Sequence, residues 1–346
     1  MNSMSTLQIG LAIAGGVVLA AVVAHGAWTS RKMAPRQAAP QEPGDHPANT
    51  GVEPRLDAGS FEPDSFALPA PEKKAGMDAL IDVIAAVALD GVVSGEAALA
   101  AMPATRRAGS KPFAIEGHNA LTRQWETPAA GQRYTAFQAG VQLANRSGAL
   151  NEIEYSEFVV KAQHFCDTVN GTPDFPDMLE EVARARELDQ FASEHDAQLG
   201  FTLRARSAAW SPGYVQQHAA RLGFVAGAMP GRMVLASSVA GMPPVLGLSF
   251  DTQAALADDP AQAAVREVTL SLDVAQVDRS EQPFVRLREA ATALAQAMDG
   301  SITDDNGQLL PRDAMDLIGS ELENLYDTLE QRDLASGSAL ARRLFS

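Results

Sequence analysis

The hydrophobic rhythm of this chain changes twice, and each change marks a boundary. From Leu7 to Trp28 no Asp, Glu, Lys or Arg interrupts the apolar run. About 22 residues at 1.5 Å each make a rod of about 33 Å, enough for the hydrocarbon core of a bilayer. The run therefore predicts a transmembrane helix over residues 7–28, behind a short N-terminus, residues 1–6. Over residues 29–76 the periodicity disappears, and prolines stand at 35, 40, 43, 47, 54, 63, 69 and 71. That composition reads as a Pro/Ala-rich flexible linker with a root-mean-square reach of order 40 Å. From Met77 onward short alternating apolar segments interleave with amphipathic ones, which predicts an α+β fold.

The later part is the clearer. Gln198–Ala205 alternates as a strand, and Ser211-Pro212 supplies an N-cap and a first-turn proline for a helix that reaches about Leu222 and stops at Gly223. Strands are expected at Phe224–Ala228, Met233–Ala236, Val245–Asp251 and Glu267–Val274. The helix Pro283–Met298 places Phe284, Leu287, Ala291, Leu294 and Met298 on one face and ends on Gly300. Asp305-Asn306-Gly307 predicts a type I′ hairpin turn. Pro311 opens a last helix to about Asp333.

The earlier part repeats this order in outline. Ala79–Leu89 reads as a strand, Ser94–Met102 as a short helix capped by Ser94, and Phe113–Asn119, Leu121–Thr127 and Tyr134–Asn145 as strands. Phe158–Gly171 followed by Pro176–Phe191 matches Phe284–Gly300 followed by Pro311–Leu329 as helix, glycine stop, proline, helix. An internal duplication accounts for this. The expected domains are an additional α+β domain at 77–194, a second domain at 195–333 and a C-terminal tail at 334–346. Each domain is expected to be a split β-α-β (ferredoxin-like) two-layer unit, with helices on one face of its sheet.

Charge and chemistry narrow the function. The 346 residues carry a formal charge of −16, which repels nucleic acid phosphates and argues against a nucleic acid partner. The single cysteine, Cys166, lies among apolar neighbours and reads as a core residue. The histidines, at 25, 46, 118, 164, 195 and 218, are scattered in sequence. No phosphate-cradling loop is present, and Asp304-Asp305-Asn306-Gly307 lacks the downstream glutamate of a calcium loop. The expectation is a binding protein, not an enzyme, with no cofactor and no metal. Arg31, Lys32 and Arg36 follow the span, so the positive-inside rule places the bulk of the chain in the cytoplasm and residues 1–6 on the outer side of the membrane, with Trp28 at the interface. Gly16, Ala20 and Ala24 form a small-residue stripe along which two anchors can pack into a weak homodimer.

The anchor exit His25-Gly26-Ala27-Trp28-Thr29-Ser30-Arg31-Lys32 resembles the H-G-x-W-T-S-R-K run of the ZipA cell-division proteins. The layout of anchor, proline-containing linker and C-terminal domain is also similar. So is the order of residues 197–333, with Pro244-Val245-Leu246, Val268-Thr269-Leu270, and Gly300 through Asp304-Asp305 to Leu310-Pro311 before the last helix. The resemblance implies a single-pass inner-membrane protein of the division septum. It would bind the C-terminal tail of FtsZ on an open sheet face and so tether the Z-ring within the divisome. Carried onto this chain, the partner-binding positions are Gln198, Gly200, Thr202, Met229, Leu248, Phe250, Thr269 and Ser271, and Trp28, Arg31 and Lys32 flank the anchor. A shorter linker and the additional domain at 77–194 depart from the family pattern. That domain either packs on the second or carries the partner groove itself. The alternative reading is a membrane-anchored scaffold for a different cytoplasmic partner.

Overall fold

The computed structural model describes residues 35–38, 76–259 and 262–346. The expected span 7–28, its flanks Trp28, Arg31 and Lys32, and most of the linker lie outside the described residues. No helix among the described residues is long and apolar enough to cross a membrane. The chain is α+β and divides into two compact units. The first holds residues 76–198 with Asp273–Glu281 and Gly319–Ser346; the second holds Leu199–Leu272 and Gln282–Ile318 together with residues 35–38.

The first unit begins with strand β1 (Asp82–Ser94), helix α1 (Gly95–Ala101) and strands β2 (Arg107–Ala108), β3 (Lys111–Asn119), β4 (Trp125–Glu126) and β5 (Arg133–Gln142). A two-residue ladder, β6 (Ala144–Asn145) with β7 (Gly148–Ala149), leads to helix α2 (Glu152–Val169), strand β8 (Gly171–Asp174) and helix α3 (Met178–His195). Its sheet runs β2-β3-β5-β1-β8, with β4 on β3. The period of two aligns Val83 with Val141 and Phe113, and Ala85 with Ala139 and Ile115, all buried on one side. On that side Phe137 meets Phe165 of α2 edge to face, with ring centroids 5.0 Å apart. Helix α2 starts at a capping box in which the Asn151 side chain accepts the Ile153 and Glu154 N–H groups and the Glu154 side chain returns to the Asn151 N–H.

The second unit contains strand β9 (Gln198–Ala205), helix α4 (Pro212–Arg221), strands β10 (Phe224–Ala226), β11 (Arg232–Leu235) and β12 (Leu246–Phe250), the short helix α5 (Thr252–Ala255) and strand β13 (Glu267–Asp273). Helix α6 (Pro283–Met298), strand β14 (Gly300–Thr303) and helix α7 (Arg312–Glu330) follow, and the division between units falls inside α7. The sheet order is β10-β11-β12-β13-β9-β14. In both sheets the earliest strand of the unit lies one place from an edge, and the edge beyond it is the short strand that follows the long helix.

Three expectations are corrected. Residues 334–346 are not a tail: helix α8 (Ala339–Leu344) and its flanks bury Leu334, Ala341, Leu344 and Phe345 in the core of the first unit. Arg343 reaches Asp82, which is 2% exposed, as its ion-pair partner. Residues 35–38, expected within a free linker, are docked on the second unit, where Arg36 forms a parallel bridge with Trp210. The turn at 304–307 also differs from the type I′ expectation. Among its residues only Gly307 takes a positive φ, while the Asp304 side chain accepts the Asn306 and Gln308 N–H groups.

Candidate peptide-binding face

One side of the second unit's sheet is covered and the other is only half covered. On the covered side Leu203, Leu246, Leu248, Phe250, Val268, Leu270 and Leu272 are buried, and Phe201 meets Phe284 of α6 at 6.2 Å between ring centroids. Pairing then decides which side chains look outward. The register Val225↔Val234↔Gly247↔Ser271 makes one outward row, and Arg232↔Ser249↔Thr269 makes the next. At about 4.8 Å per strand, the first row spans about 14 Å. Val225 is 54% exposed, Ser271 is exposed, and Val234, Gly247, Ser249 and Thr269 are half-buried.

Glycine at 247 leaves room for a neighbouring hydroxyl. A Cβ there would lie 2.6 Å from the Ser271 hydroxyl oxygen, so that hydroxyl leans across the strand boundary. The result is a shallow floor of glycine and serine with two valines at one end and Arg232 in the neighbouring row. At its β9 side the face is closed. The Asp305 carboxylate approaches within 3.0 Å of where a Gly200 Cβ would stand, and Thr202 is buried, its carbonyl accepting the Thr303 hydroxyl at 3.2 Å. Arg204, farther along β9, contacts Glu267 at 3.3 Å.

The eight residues expected on this face divide clearly. Thr269 and Ser271 lie on it, and Gln198 is exposed at the first position of β9. Gly200 and Thr202 lie under the 304–307 turn. Met229 is 59% exposed at the tip of the β10–β11 hairpin, beside the floor and not on a strand. Leu248 and Phe250 are corrected: they are 1% and 7% exposed and face the helices. A strand repeats every two residues, so placing β12 one residue out of register exchanges its two faces. The outward residues of β12 are Gly247 and Ser249. Val225, Val234 and Arg232 were not anticipated. A signal for β11 is present in the sequence, because a charged residue two positions from Val234 marks the solvent side.

A separate cavity of about 690 Å³ in the second unit is lined by Phe284, Val285, Ile302, Leu310 and Met315 together with Arg288, Glu289 and Arg312. Arg288 is engaged by Asp316. Among the described residues no group of three or more His, Cys, Asp and Glu side chains converges as a metal site. His218 on α4 has its pKa lowered by burial and by nearby Arg221, which favours the neutral imidazole. Cys166, in the first unit, is fully buried, and burial pushes its thiol up to about 11. Comparison of the chain with protein-family models finds no match, and comparison with curated proteins finds none either.

Proposed function

We propose that this protein is a non-enzymatic membrane tether of cell division that holds FtsZ filaments at the inner membrane by binding the FtsZ C-terminal tail. The observation that carries the reading is the one-sided sheet of the second unit, with helices behind it and a Gly247–Ser271 floor beside Val225 and Val234. A short amphipathic peptide laid across such a face buries a few apolar anchors and leaves its polar side wet. Covering each valine fully contributes about 1–2 kcal/mol at 25 cal/mol per Å², which fits a weak contact multiplied along a filament. The fold supports the reading too. Both units run strand, helix, strand meander, long helix, edge strand, helix, consistent with a duplicated split β-α-β (ferredoxin-like) unit.

The experiment is co-sedimentation of the full chain, in detergent, with FtsZ polymers that carry or lack the tail, alongside Val234→Glu. Binding lost without the tail and in Val234→Glu is the expected result. Binding unchanged without the tail sinks the peptide-face reading. A second reading, a membrane scaffold for another cytoplasmic partner, is favoured by the polar centre of the floor at Ser249, Thr269 and Ser271. Uniform or polar membrane fluorescence of a tagged chain, in place of a mid-cell ring, selects it.

A further inference from the structure

The docked segment 35–38 sits in a slot that its surroundings build in advance. Trp210 is fully buried, its indole N–H donates to the Met298 carbonyl at 2.8 Å, and Ser211 caps α4 by accepting the Tyr214 N–H at 3.2 Å. The backbone between Ala209 and Ser211 is thereby fixed in an extended form that also bridges Val265. Arg36 adds to it as a strand would: its N–H donates to the Ala209 carbonyl at 2.7 Å, and its carbonyl accepts the Ser211 N–H at 2.8 Å. Its guanidinium donates to the Met298 carbonyl at 3.1 Å and to Asp299 Oδ2 at 2.8 Å. Asp299 ends α6 in the left-handed conformation, φ 57°, which turns its carboxylate toward the Ser207 hydroxyl at 2.9 Å and toward Arg36. The Ser207 hydrogen bond and the charge of Arg36 hold that carboxyl below its ordinary range.

We infer that Ala209–Ser211 with Met298 and Asp299 forms a recognition slot for an extended, arginine-bearing segment, and that its resident is the chain's own Arg36, acting as a releasable clasp on the tether. The inference rests on the reading of residues 7–28 as a membrane span. Only residues 29–34 separate that span from Pro35. With the clasp closed, the second unit hangs on about 25 Å of chain at most. With it open, the whole stretch 29–75 separates the span from the folded region, at most about 160 Å of chain. The Arg36 and Asp299 side chains are 35% and 41% exposed, so salt screens the pair. The clasp thus closes at the membrane surface without locking.

Limited trypsin digestion of the full chain in detergent tests this. Cleavage after Arg36 is expected to be about two- to fivefold slower in the wild type than in Asp299→Asn, while cleavage after Arg55 proceeds equally in both. Asparagine tolerates the left-handed conformation, so the end of α6 survives the substitution. Hydrogen exchange adds a measurement that needs no variant: the Ser211 amide is expected to be protected in the wild type. Equal cleavage at Arg36 in both proteins, with a Ser211 amide exchanging like an exposed one, overturns the clasp. Neither measurement needs a bilayer. Failure of the span itself would appear separately, as a chain that does not float with vesicles.

Discussion

Replacing Arg343 with methionine tests how the C-terminal segment closes the first unit. Arg343 on α8 pairs with Asp82 at the start of β1 and also donates to the Gly76 carbonyl at 3.3 Å. Asp82 is 2% exposed, and its carboxylate also accepts the Asp78 N–H at 2.9 Å. Methionine keeps most of the aliphatic bulk but leaves a buried carboxylate served by a neutral donor. Breaking a buried pair from one side costs about 3–5 kcal/mol, a large part of the ~5–15 kcal/mol that holds a typical domain folded. The pH dependence has a definite sign. Burial raises the Asp82 carboxyl above its ordinary value, against the opposing pull of Arg343. A carboxyl raised on folding supports the fold below its unfolded pKa and loses that contribution as pH rises through its folded pKa. Without Arg343 the folded value climbs further, so the variant's deficit is widest near neutrality and shrinks on acidification as the lone charge is protonated. Urea denaturation of both proteins near pH 7 and near pH 5 measures it. A gap of about 3–5 kcal/mol near pH 7 that narrows near pH 5 is expected. A gap under about 1 kcal/mol near neutrality, or one unmoved by acid, refutes the reasoning.

Two other outcomes are expected. Leu248→Ala is expected to cost about 2–5 kcal/mol in a denaturation experiment, and Ser249→Ala less than about 0.5 kcal/mol; the reverse order would mean that β12 faces the other way. The Cys166 thiol, its pKa pushed up to about 11 by burial, is expected to resist a thiol reagent in the folded chain at mildly alkaline pH and to react fully in denaturant. Fast labelling without denaturant would contradict its place in the core.

Local signals made some elements legible and left others hidden. Gln198–Ala205 is readable end to end because its alternation is unbroken, and Pro283–Met298 because a first-turn proline and one apolar face agree. The stops of the two long helices fall one residue earlier than the glycines suggest. Asn170 and Asp299, at φ 52° and 57°, take the left-handed position, and Gly171 and Gly300 begin strands. At Gly171 a Cβ would stand 2.7 Å from Val87 Cγ1, so glycine is there for contact and not for the turn. Helix α2 begins at Glu152, six residues before the Phe158 that periodicity selects, and the missed signal is the Asn151–Glu154 capping pair. On the candidate face, alternation separates Thr269 and Ser271 from Leu270, but alternation on β12 does not reveal which set faces the helices. That is decided by Leu248 pairing with Met233 and Leu270. The Asp82–Arg343 pair and the Arg36 bridge join residues far apart in sequence, and no local period encodes such a match.

The closing of the first unit by residues 319–346 has a consequence for synthesis. A nascent chain emerges N-terminus first, so residues 76–198 are exposed early, without Leu334, Arg343, Leu344 or Phe345 to complete them. The roughly 120 residues from 199 to 318 take about 6–24 s to translate at ~5–20 residues per second. Through that interval Asp82 has no counter-ion, and the apolar side of the first sheet awaits its last helix. The second unit, made later, has its own residues before 319–346 are translated. The unit whose sheet is synthesised first is therefore completed last, and a stop placed before residue 334 is expected to destabilise it, because Leu334, Leu344 and Phe345 belong to its core.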